Sequence, residues 1–233
     1  MLEWLNRTLS EQYQLVCVLK ESNKSEILHL RHLSTGRDIV KRIQNGNAVI
    51  YEILREITHV NIPRIYEVVS DDTQTVILEE FITGEAVSAK LQKSLYSEKE
   101  TRAIIRQLCD ALSAIHALGI IHRDLKPEHL IINKDGVVKL IDYDAAKLYK
   151  LYKTVDTHIV GTTGYAAPEQ FGIAQSDERT DIFSLGIMMN VMLVGSHPSK
   201  EPYLGKLSKV IKKCTQVDPN KRYRSALDLA REI

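Results

Sequence analysis

Apolar residues recur with two different periods along this chain, and the change of period divides it into two parts. Up to Leu78 the apolar runs are short, alternating and separated by turn residues, which favours strands. The pattern predicts five strands and one helix, in the order Leu15–Leu19, Ile27–Leu33, Arg37–Ile43, helix Asn47–Thr58, Ile65–Val69 and Thr75–Leu78. A short amphipathic helix over Met1–Gln12 is expected to lie on this first part.

The second part follows a crossing at Ile82–Gly84 and has mainly helical periodicity. Ser97 and Glu100 have the spacing of a capping box, and one apolar face follows until Gly119 ends the helix. A hairpin is predicted to turn at Lys134–Gly136, and further helices are predicted from Asp181 and Lys206. The most hydrophobic stretch, Ile182–Val194, is too short to span a bilayer and predicts a buried helix.

Composition limits the classes of protein to which the chain can belong. Its 233 residues are 44% hydrophobic and 26% charged, which is typical of a globular protein and not of a disordered one. The formal charge of +1 gives no global field towards nucleic acid or an anionic membrane. Cys17, Cys109 and Cys214 are few and widely spaced, which favours free thiols in a reducing compartment. No secretory signal or membrane insertion is expected, and the predicted location is cytoplasmic.

A polar connector, Ile121–Leu130, lies between the long helix and an apolar strand. Pro127 fixes its own φ and keeps Lys126 out of the helical region. Asp124 has the chemistry of a general base, Lys126 that of a cation for a transferred anionic group, and Arg123 that of a partner for a second anion. The alternative is a solvated charged turn, which explains three charges but not their order.

The order of these residues resembles a known family. His122-Arg123-Asp124-Leu125-Lys126-Pro127-Glu128 resembles the catalytic loop of eukaryotic-type (Hanks-type) serine/threonine protein kinases. Asp142-Tyr143-Asp144 and Ala167-Pro168-Glu169 follow at family-like intervals, where those kinases have D-F-G and A-P-E. The compact build is one we associate with bacterial members.

The resemblance implies a fold and an activity. The expected fold class is α+β, a bilobal protein-kinase-like domain over residues 1–233. Residues 1–82 would form a lobe with a small antiparallel sheet and one helix, and residues 83–233 a larger, mainly helical lobe. The implied reaction is transfer of the γ-phosphoryl group of ATP to Ser or Thr hydroxyls of protein substrates.

The same resemblance implies roles for individual residues. Asp124 would accept the proton of the substrate hydroxyl, and Lys126 would neutralise the γ-phosphate. Asp142 would hold magnesium, although an aspartate after a strand is otherwise often a turn residue. The phosphate-binding lysine of the third strand would be Lys41, with Arg42 as the competing candidate. Its partner would be a glutamate of the next helix.

For that partner, Glu52 fits best. Glu56 is the alternative, and a site with no such ion pair is the third possibility.

Three positions depart from the family pattern. The loop after Leu19 has no glycine, so Ser22 and Ser25 either contact phosphates through their side chains or are solvated. His129 replaces the asparagine that helps hold a second metal, and imidazole suits manganese or zinc better than magnesium.

The third departure lies at the adenine pocket. There the Glu80 carbonyl and the Ile82 amide would bind the base. Glu79, at the position that gates this pocket, would either accept a hydrogen bond from the adenine amino group or narrow the pocket.

Other residues are expected to be scaffold. Glu169 would pair with Arg222, Asp181 would brace the catalytic loop, and His122 would be packed within it. Thr154 and Thr157 are candidate sites for a phosphate that pairs with Arg123, and the alternative is that the Asp156 carboxylate pairs with Arg123 without modification.

Two other functions remain open. A pseudokinase, acting as a nucleotide-binding or scaffolding module, is favoured by the missing glycines and by His129. A small-molecule kinase is disfavoured by Gly161–Tyr165, which resembles the protein-substrate loop of serine/threonine kinases.

Overall fold

The computed structural model describes residues 1–22, 25–45, 49–149, 161–172 and 174–233. The chain divides into two compact units, of which the first comprises Met1–His59 with Pro63–Ile82 and the second Val60–Ile62 with Thr83–Ile233. The first is built on an antiparallel sheet and the second is mainly helical, so the predicted α+β class is confirmed.

The first unit contains one five-stranded antiparallel sheet of order β1-β2-β3-β5-β4. Its elements are α1 (Leu2–Gln12), β1 (Tyr13–Glu21), β2 (Ser25–His32), β3 (Asp38–Asn45), α2 (Val49–Arg55), β4 (Ile65–Ser70) and β5 (Gln74–Glu80). The start of the helix predicted from Asn47 lies outside the described residues. That helix ends at Arg55 rather than Thr58, because the N–H groups of Glu56 and Ile57 bond to carbonyls three residues back and tighten the last turn.

The two helices of this unit contact the two faces of β3. Leu2, Leu5 and Leu9 of α1 are buried against one face, where they pack with residues such as Ile39 and Leu78. Tyr51 of α2 contacts Arg42, which alternates with Ile39 along β3 and therefore belongs to the other face. The expected placement of the N-terminal helix on the first unit is confirmed.

Before α5, the described part of the second unit contains five short strands and two α-helices. These are β6 (Gly84–Ala86), α3 (Val87–Leu91), α4 (Glu98–Ala117), β7 (Ile120–Ile121), β8 (Leu130–Asn133), β9 (Val138–Leu140) and β10 (Lys147–Leu148). Three more helices follow: α5 (Glu178–Val194), α6 (Ser208–Cys214) and α7 (Ala226–Glu232). The strands form an antiparallel β6-β8-β9 sheet and a β10-β7 pair.

The core of this unit lies between α4 and α5. Ser97 caps α4 through the predicted capping box with Glu100, and Gly119, at φ 73°, follows its end. The predicted buried helix is α5, which starts at Glu178 rather than Asp181 because Asp177 is its N-cap. Across the described residues, no helix is both long and apolar enough to cross a membrane.

The segment Val60–Ile62 belongs to the second unit although it lies before Ile82 in sequence. The Asn61 amide donates to the Val138 carbonyl at 2.8 Å and to Gln107 Oε1 at 2.9 Å. The Leu140 N–H donates in turn to the Asn61 carbonyl at 2.8 Å. These bonds tie the segment to β9.

Candidate active site

The connector between β7 and β8 is fixed to the N-terminal turn of α5 by one buried carboxylate. Asp181 accepts hydrogen bonds from the His122 N–H at 2.9 Å and from the Arg123 N–H at 2.8 Å. Arg123 has a φ of 68°, a conformation that costs a non-glycine residue energy and persists where surrounding contacts enforce it. The predicted role of Asp181 as a brace is confirmed.

His116 of α4, which the sequence did not single out, supports this brace. Its Nε2–H donates to Asp181 Oδ2 at 2.7 Å, since a carboxylate can only accept. Burial acts to raise the pKa of Asp181, but the hydrogen bonds from His116 and from the Arg123 N–H outweigh burial, so that pKa is lowered. The brace is therefore an anion inside the core.

Asp124 lies at the centre of a three-residue network. Its Oδ1 accepts from the Thr162 hydroxyl at 2.6 Å, and its Oδ2 accepts from Lys126 Nζ at 3.0 Å. Lys126 Nζ also donates to Thr162 Oγ1 at 2.8 Å. Burial acts to raise the pKa of Asp124, but the hydrogen bonds from Thr162 and Lys126, with the positive charge of Lys126, lower it overall. The structure thus brings Asp124 and Lys126 together and keeps the carboxylate ionised.

His129 and Asp142 form a second cluster beside this network. His129 ends the 3₁₀ turn Pro127–His129, and Asp142 follows β9, where the Ile141 N–H donates to the His129 carbonyl at 2.9 Å. The His129 Nδ1–H donates to the Asp124 carbonyl at 2.9 Å, because a carbonyl only accepts. His129 Nε2 lies 3.4 Å from Asp142 Oδ2. The two predicted metal ligands are therefore neighbours.

His122 and Arg123 of the same connector are held by contacts within the second unit. His122 is fully buried against Tyr143, and burial lowers its pKa to about 4, so the ring is neutral. The Arg123 Nε–H donates to the Ala145 carbonyl at 3.0 Å, and the Gln170 amide donates to the Arg123 carbonyl at 2.7 Å. Thr154 and Thr157, the candidate phosphate carriers for Arg123, lie outside the described residues.

The predicted ion pair of Glu169 and Arg222 is present and buried. Arg222 Nη1 donates to Glu169 Oε1 at 2.7 Å and Nη2 donates to Oε2 at 2.9 Å, which is a bidentate arrangement. The Thr180 hydroxyl adds a bond to Glu169 Oε1 at 2.9 Å. This pair joins the Ala-Pro-Glu segment to the C-terminal part of the unit.

In the first unit, the structure separates Lys41 from the helix glutamates. Lys41 alternates with Arg42 along β3 and shares the face of Ile39, which α1 covers. Its Nζ donates to Asn6 Oδ1 of α1 at 2.8 Å, and burial lowers its pKa. Glu52 and Glu56 are exposed, and no ion pair among the described residues joins either to Lys41. The expected Lys41–Glu52 pair is therefore corrected, because Lys41 lies on the face that α1 covers, whereas Glu52 belongs to α2, which contacts the other face.

The competing cation, Arg42, is buried on the other face. Its guanidinium lies 5.4 Å from the centre of the Tyr51 ring of α2. Its Nη2 donates to Glu79 Oε1 of β5 at 3.4 Å. Glu79, predicted to gate the adenine pocket, therefore contacts the one cation of β3 that faces α2.

The remaining predicted nucleotide contacts lie at the ends of strands. Ser22 and Ser25 close the β1–β2 turn on each other: the Ser22 hydroxyl donates to the Ser25 carbonyl at 3.1 Å, and the Ser25 N–H donates to Ser22 Oγ at 3.1 Å. The Ser22 hydroxyl is therefore already used within the turn, and it would have to give up these hydrogen bonds in order to contact a phosphate. Glu80 is the last residue of β5, where its N–H donates to the Arg64 carbonyl at 2.8 Å, and Ile82 follows the strand end.

Comparison with known proteins agrees with this geometry. A model of the protein kinase domain matches residues 12–228, and the chain therefore belongs to the protein kinase family. Among its relatives, CBL-interacting protein kinase 1 of Oryza sativa subsp. japonica is 32% identical over 99% of this chain and 53% of the relative. CBL-interacting serine/threonine-protein kinase 24 of Arabidopsis thaliana is 30% identical over 82% of this chain and 46% of the relative.

A third relative, a probable myosin light chain kinase of Dictyostelium discoideum, is 30% identical over 84% of this chain and 52% of the relative. The chain thus spans about half the length of the curated relatives it matches. Because these relatives come from plants and an amoeba, they give no support to the bacterial build expected from the sequence.

Proposed function

We propose that this chain catalyses ATP-dependent transfer of a phosphoryl group to Ser or Thr hydroxyls of protein substrates. The observation that carries the proposal is the Asp124 carboxylate, held by Lys126 and Thr162 on a connector that Asp181 braces. Serine/threonine kinases among the relatives support the acceptor class. The three cysteines are free thiols, which supports a reducing, cytoplasmic setting.

Asp124 acts on the acceptor hydroxyl. The hydroxyl oxygen forms a bond to the γ-phosphorus, the bond from that phosphorus to the β–γ bridging oxygen breaks, ADP leaves, and the hydroxyl proton passes to Asp124. Thr162 and Lys126 orient the carboxylate, and Lys126 also supplies positive charge to the phosphoryl group during transfer. Phosphoryl transfer needs this positioning and charge neutralisation more than covalent catalysis.

The Asp142–His129 pair fits a divalent cation. Burial lowers the pKa of His129, and its Nδ1–H is used by the Asp124 carbonyl, so the neutral ring directs the Nε2 lone pair towards the Asp142 carboxylate. Two such acceptors suit a shared cation, Mg²⁺ or, because of the imidazole, Mn²⁺. When held by Asp142 and His129, the cation would supply positive charge that neutralises the phosphates of ATP.

Within the described residues, no three histidine, cysteine or carboxylate side chains form a complete metal cluster. The cation would therefore take its other ligands from ATP and water. For the adenine ring we propose the Glu80 carbonyl and the Ile82 amide as contacts, on the family pattern. Ser22 and Ser25 are proposed to shape the turn over the phosphates, since the turn bonds already use the Ser22 hydroxyl and the backbone of Ser25.

Transfer of labelled phosphate from ATP to dephosphorylated casein tests the proposal. Asp124→Asn should abolish transfer while leaving ATP affinity nearly intact, because the residue acts on the acceptor hydroxyl and not on the nucleotide. Asp135→Asn is the matched control, since this exposed aspartate lies in the β8–β9 turn and should leave the rate unchanged.

Two results would contradict the assignment. A loss of ATP affinity as large as the loss of rate in Asp124→Asn would place that residue at the nucleotide instead. A wild-type chain that binds ATP without transferring phosphate to casein, peptides or itself would favour a pseudokinase. Asp142→Asn separates these cases further, because in a kinase it should weaken metal-dependent ATP binding.

A further inference from the structure

The cations of β3 differ in the face of the sheet to which they belong. A strand directs successive side chains to opposite faces, so only one of two adjacent residues can share a face with α2. Lys41 is paired across the sheet with Leu28 and Leu78, and its Nζ is bound by Asn6 of α1. Arg42 is paired with Ile27 and Ile77 and contacts Tyr51 of α2.

We propose that Arg42, positioned by Glu79, is the residue of the first unit that binds the phosphates of the nucleotide. The inference rests on the proposed function. It places the phosphate-binding cation one residue further along β3 than the sequence pattern indicated, and it assigns Lys41 to the packing of α1. Arg42 would contact the nucleotide directly, whereas Glu79 is a positioning residue.

The chemistry of the pair supports this assignment. A guanidinium presents five N–H donors in a planar fork that matches phosphate oxygens, so it can hold Glu79 and a phosphate together. The Arg42 and Glu79 side chains are 3% and 9% exposed, and a cation in such surroundings interacts more strongly with an anion than it would in water. The Tyr51 ring limits the directions that the guanidinium can take.

The partner carboxylate lies on the adjacent strand and not on a helix. Arg42 and Glu79 face the same side of neighbouring strands, because Arg42 is opposite Ile77 and Val40 is opposite Glu79. The ion pair is thus built into the register of β3 and β5. It follows that nucleotide binding should not depend on a carboxylate of α2, so the exposed Glu52 is dispensable for it.

The test measures two affinities for each variant by calorimetry, one for ATP with MnCl₂ and one for adenosine. Arg42 acts on phosphates, so its loss should weaken ATP binding and spare adenosine, whereas a merely structural role would weaken both. Because removal of one partner leaves a buried charge, the variant is the double substitution Arg42→Met/Glu79→Leu, which replaces the pair by apolar groups of similar size. Thermal unfolding checks that this variant is folded.

The double variant should lower the ratio of ATP to adenosine affinity by about 10- to 100-fold, the range for a hydrogen bond to a charged group. Lys41→Met, which removes the competing cation, should leave that ratio within about twofold, and so should Glu52→Gln. Arg42→Lys should give an intermediate ratio, because it keeps the charge and loses the fork.

The inference is overturned if Lys41→Met lowers the ratio and the double variant does not, or if the double variant weakens ATP and adenosine binding equally. In both cases wild-type phosphoryl transfer would still support the proposed function. A wild-type chain that neither prefers ATP to adenosine nor transfers phosphate would instead remove the proposed function and this inference with it.

Discussion

The Thr162 hydroxyl donates to Oδ1 of Asp124 at 2.6 Å. The other carboxylate oxygen accepts from Lys126, so each oxygen of the carboxylate has its own donor. Burial alone would raise the pKa of Asp124, and these donors, with the positive charge of Lys126, lower it overall. Thr162, which is far from Asp124 in sequence, therefore helps to lower the pKa of this carboxyl.

We expect Thr162→Val to move the acid limb of the rate profile to higher pH. Asp124 accepts a proton only when ionised, that is above its pKa, and loss of the Thr162 bond raises that pKa. One hydrogen bond to a charged group corresponds to a shift of about one pH unit. The measurement is kcat for phosphorylation of a soluble Ser-containing peptide from about pH 8 down to about pH 2.5, which includes the range below the ordinary aspartate pKa where the wild-type limb lies.

The adjacent Thr163 is exposed, so Thr163→Val is the control and should keep the wild-type limb. If the acid limbs of the pH–rate profiles of Thr162→Val and the wild type coincide, the Thr162 hydrogen bond does not set the pKa of Asp124.

A second prediction concerns the stability of the second unit. Arg222→Met leaves the Glu169 carboxylate buried without its bidentate partner, and breaking a buried pair in this way costs about 3–5 kcal/mol. Urea unfolding should show the loss as a lower midpoint. Arg231→Met, which removes an exposed arginine paired with Asp228, should cost less than about 1 kcal/mol. Equal midpoints for the two variants would contradict the structural role of Glu169 and Arg222.

The sequence predicted two kinds of feature: those formed by residues close together in the chain, and those that the motifs of the kinase family imply. The capping box of Ser97 and Glu100 is a local pattern, and it is present. The Glu169–Arg222 pair followed from motif order, since the resemblance supplied a contact that spacing alone does not contain.

The choice between Lys41 and Arg42 could not be made from the sequence. The two cations are adjacent, and a shift of one residue in strand phase exchanges the faces of all side chains. The apolar residues Ile39 and Ile43 do place Lys41 on their own face, but nothing in the sequence says that α1 covers that face. His116 was missed for a related reason, because its partner Asp181 lies 65 residues away.

A third prediction tests the entry into the second unit at Gly84. A Cβ on Gly84 would lie 2.3 Å from the Ile132 carbonyl oxygen, a backbone atom that cannot move aside without disturbing β8. Gly84→Ala should therefore destabilise this sheet by about 1–3 kcal/mol. Glu85→Ala, at an exposed position of the same strand, should change the free energy of unfolding by less than about 0.5 kcal/mol. If the two variants lose the same free energy of unfolding in urea, the contact between a Cβ at position 84 and the Ile132 carbonyl is not the cause.

The last prediction concerns His129 and the preference of the proposed cation site for manganese over magnesium. Its ring bonds the Asp124 carbonyl through Nδ1 and faces Asp142 through Nε2. Nitrogen ligands suit manganese better than magnesium, whereas an amide oxygen suits magnesium. An asparagine can present that oxygen to the cation.

His129→Asn should therefore lower the magnesium concentration for half-maximal transfer, by about tenfold if one ligand is improved. It should also reduce the ratio of the manganese-supported rate to the magnesium-supported rate. Titrations of MgCl₂ and MnCl₂ at fixed ATP give both values. His197→Asn, at a histidine that bonds Ser199, is the control and should leave both unchanged. If His129→Asn has the wild-type ratio at every concentration, the imidazole does not act on the cation, and its role is confined to holding the Asp124 carbonyl.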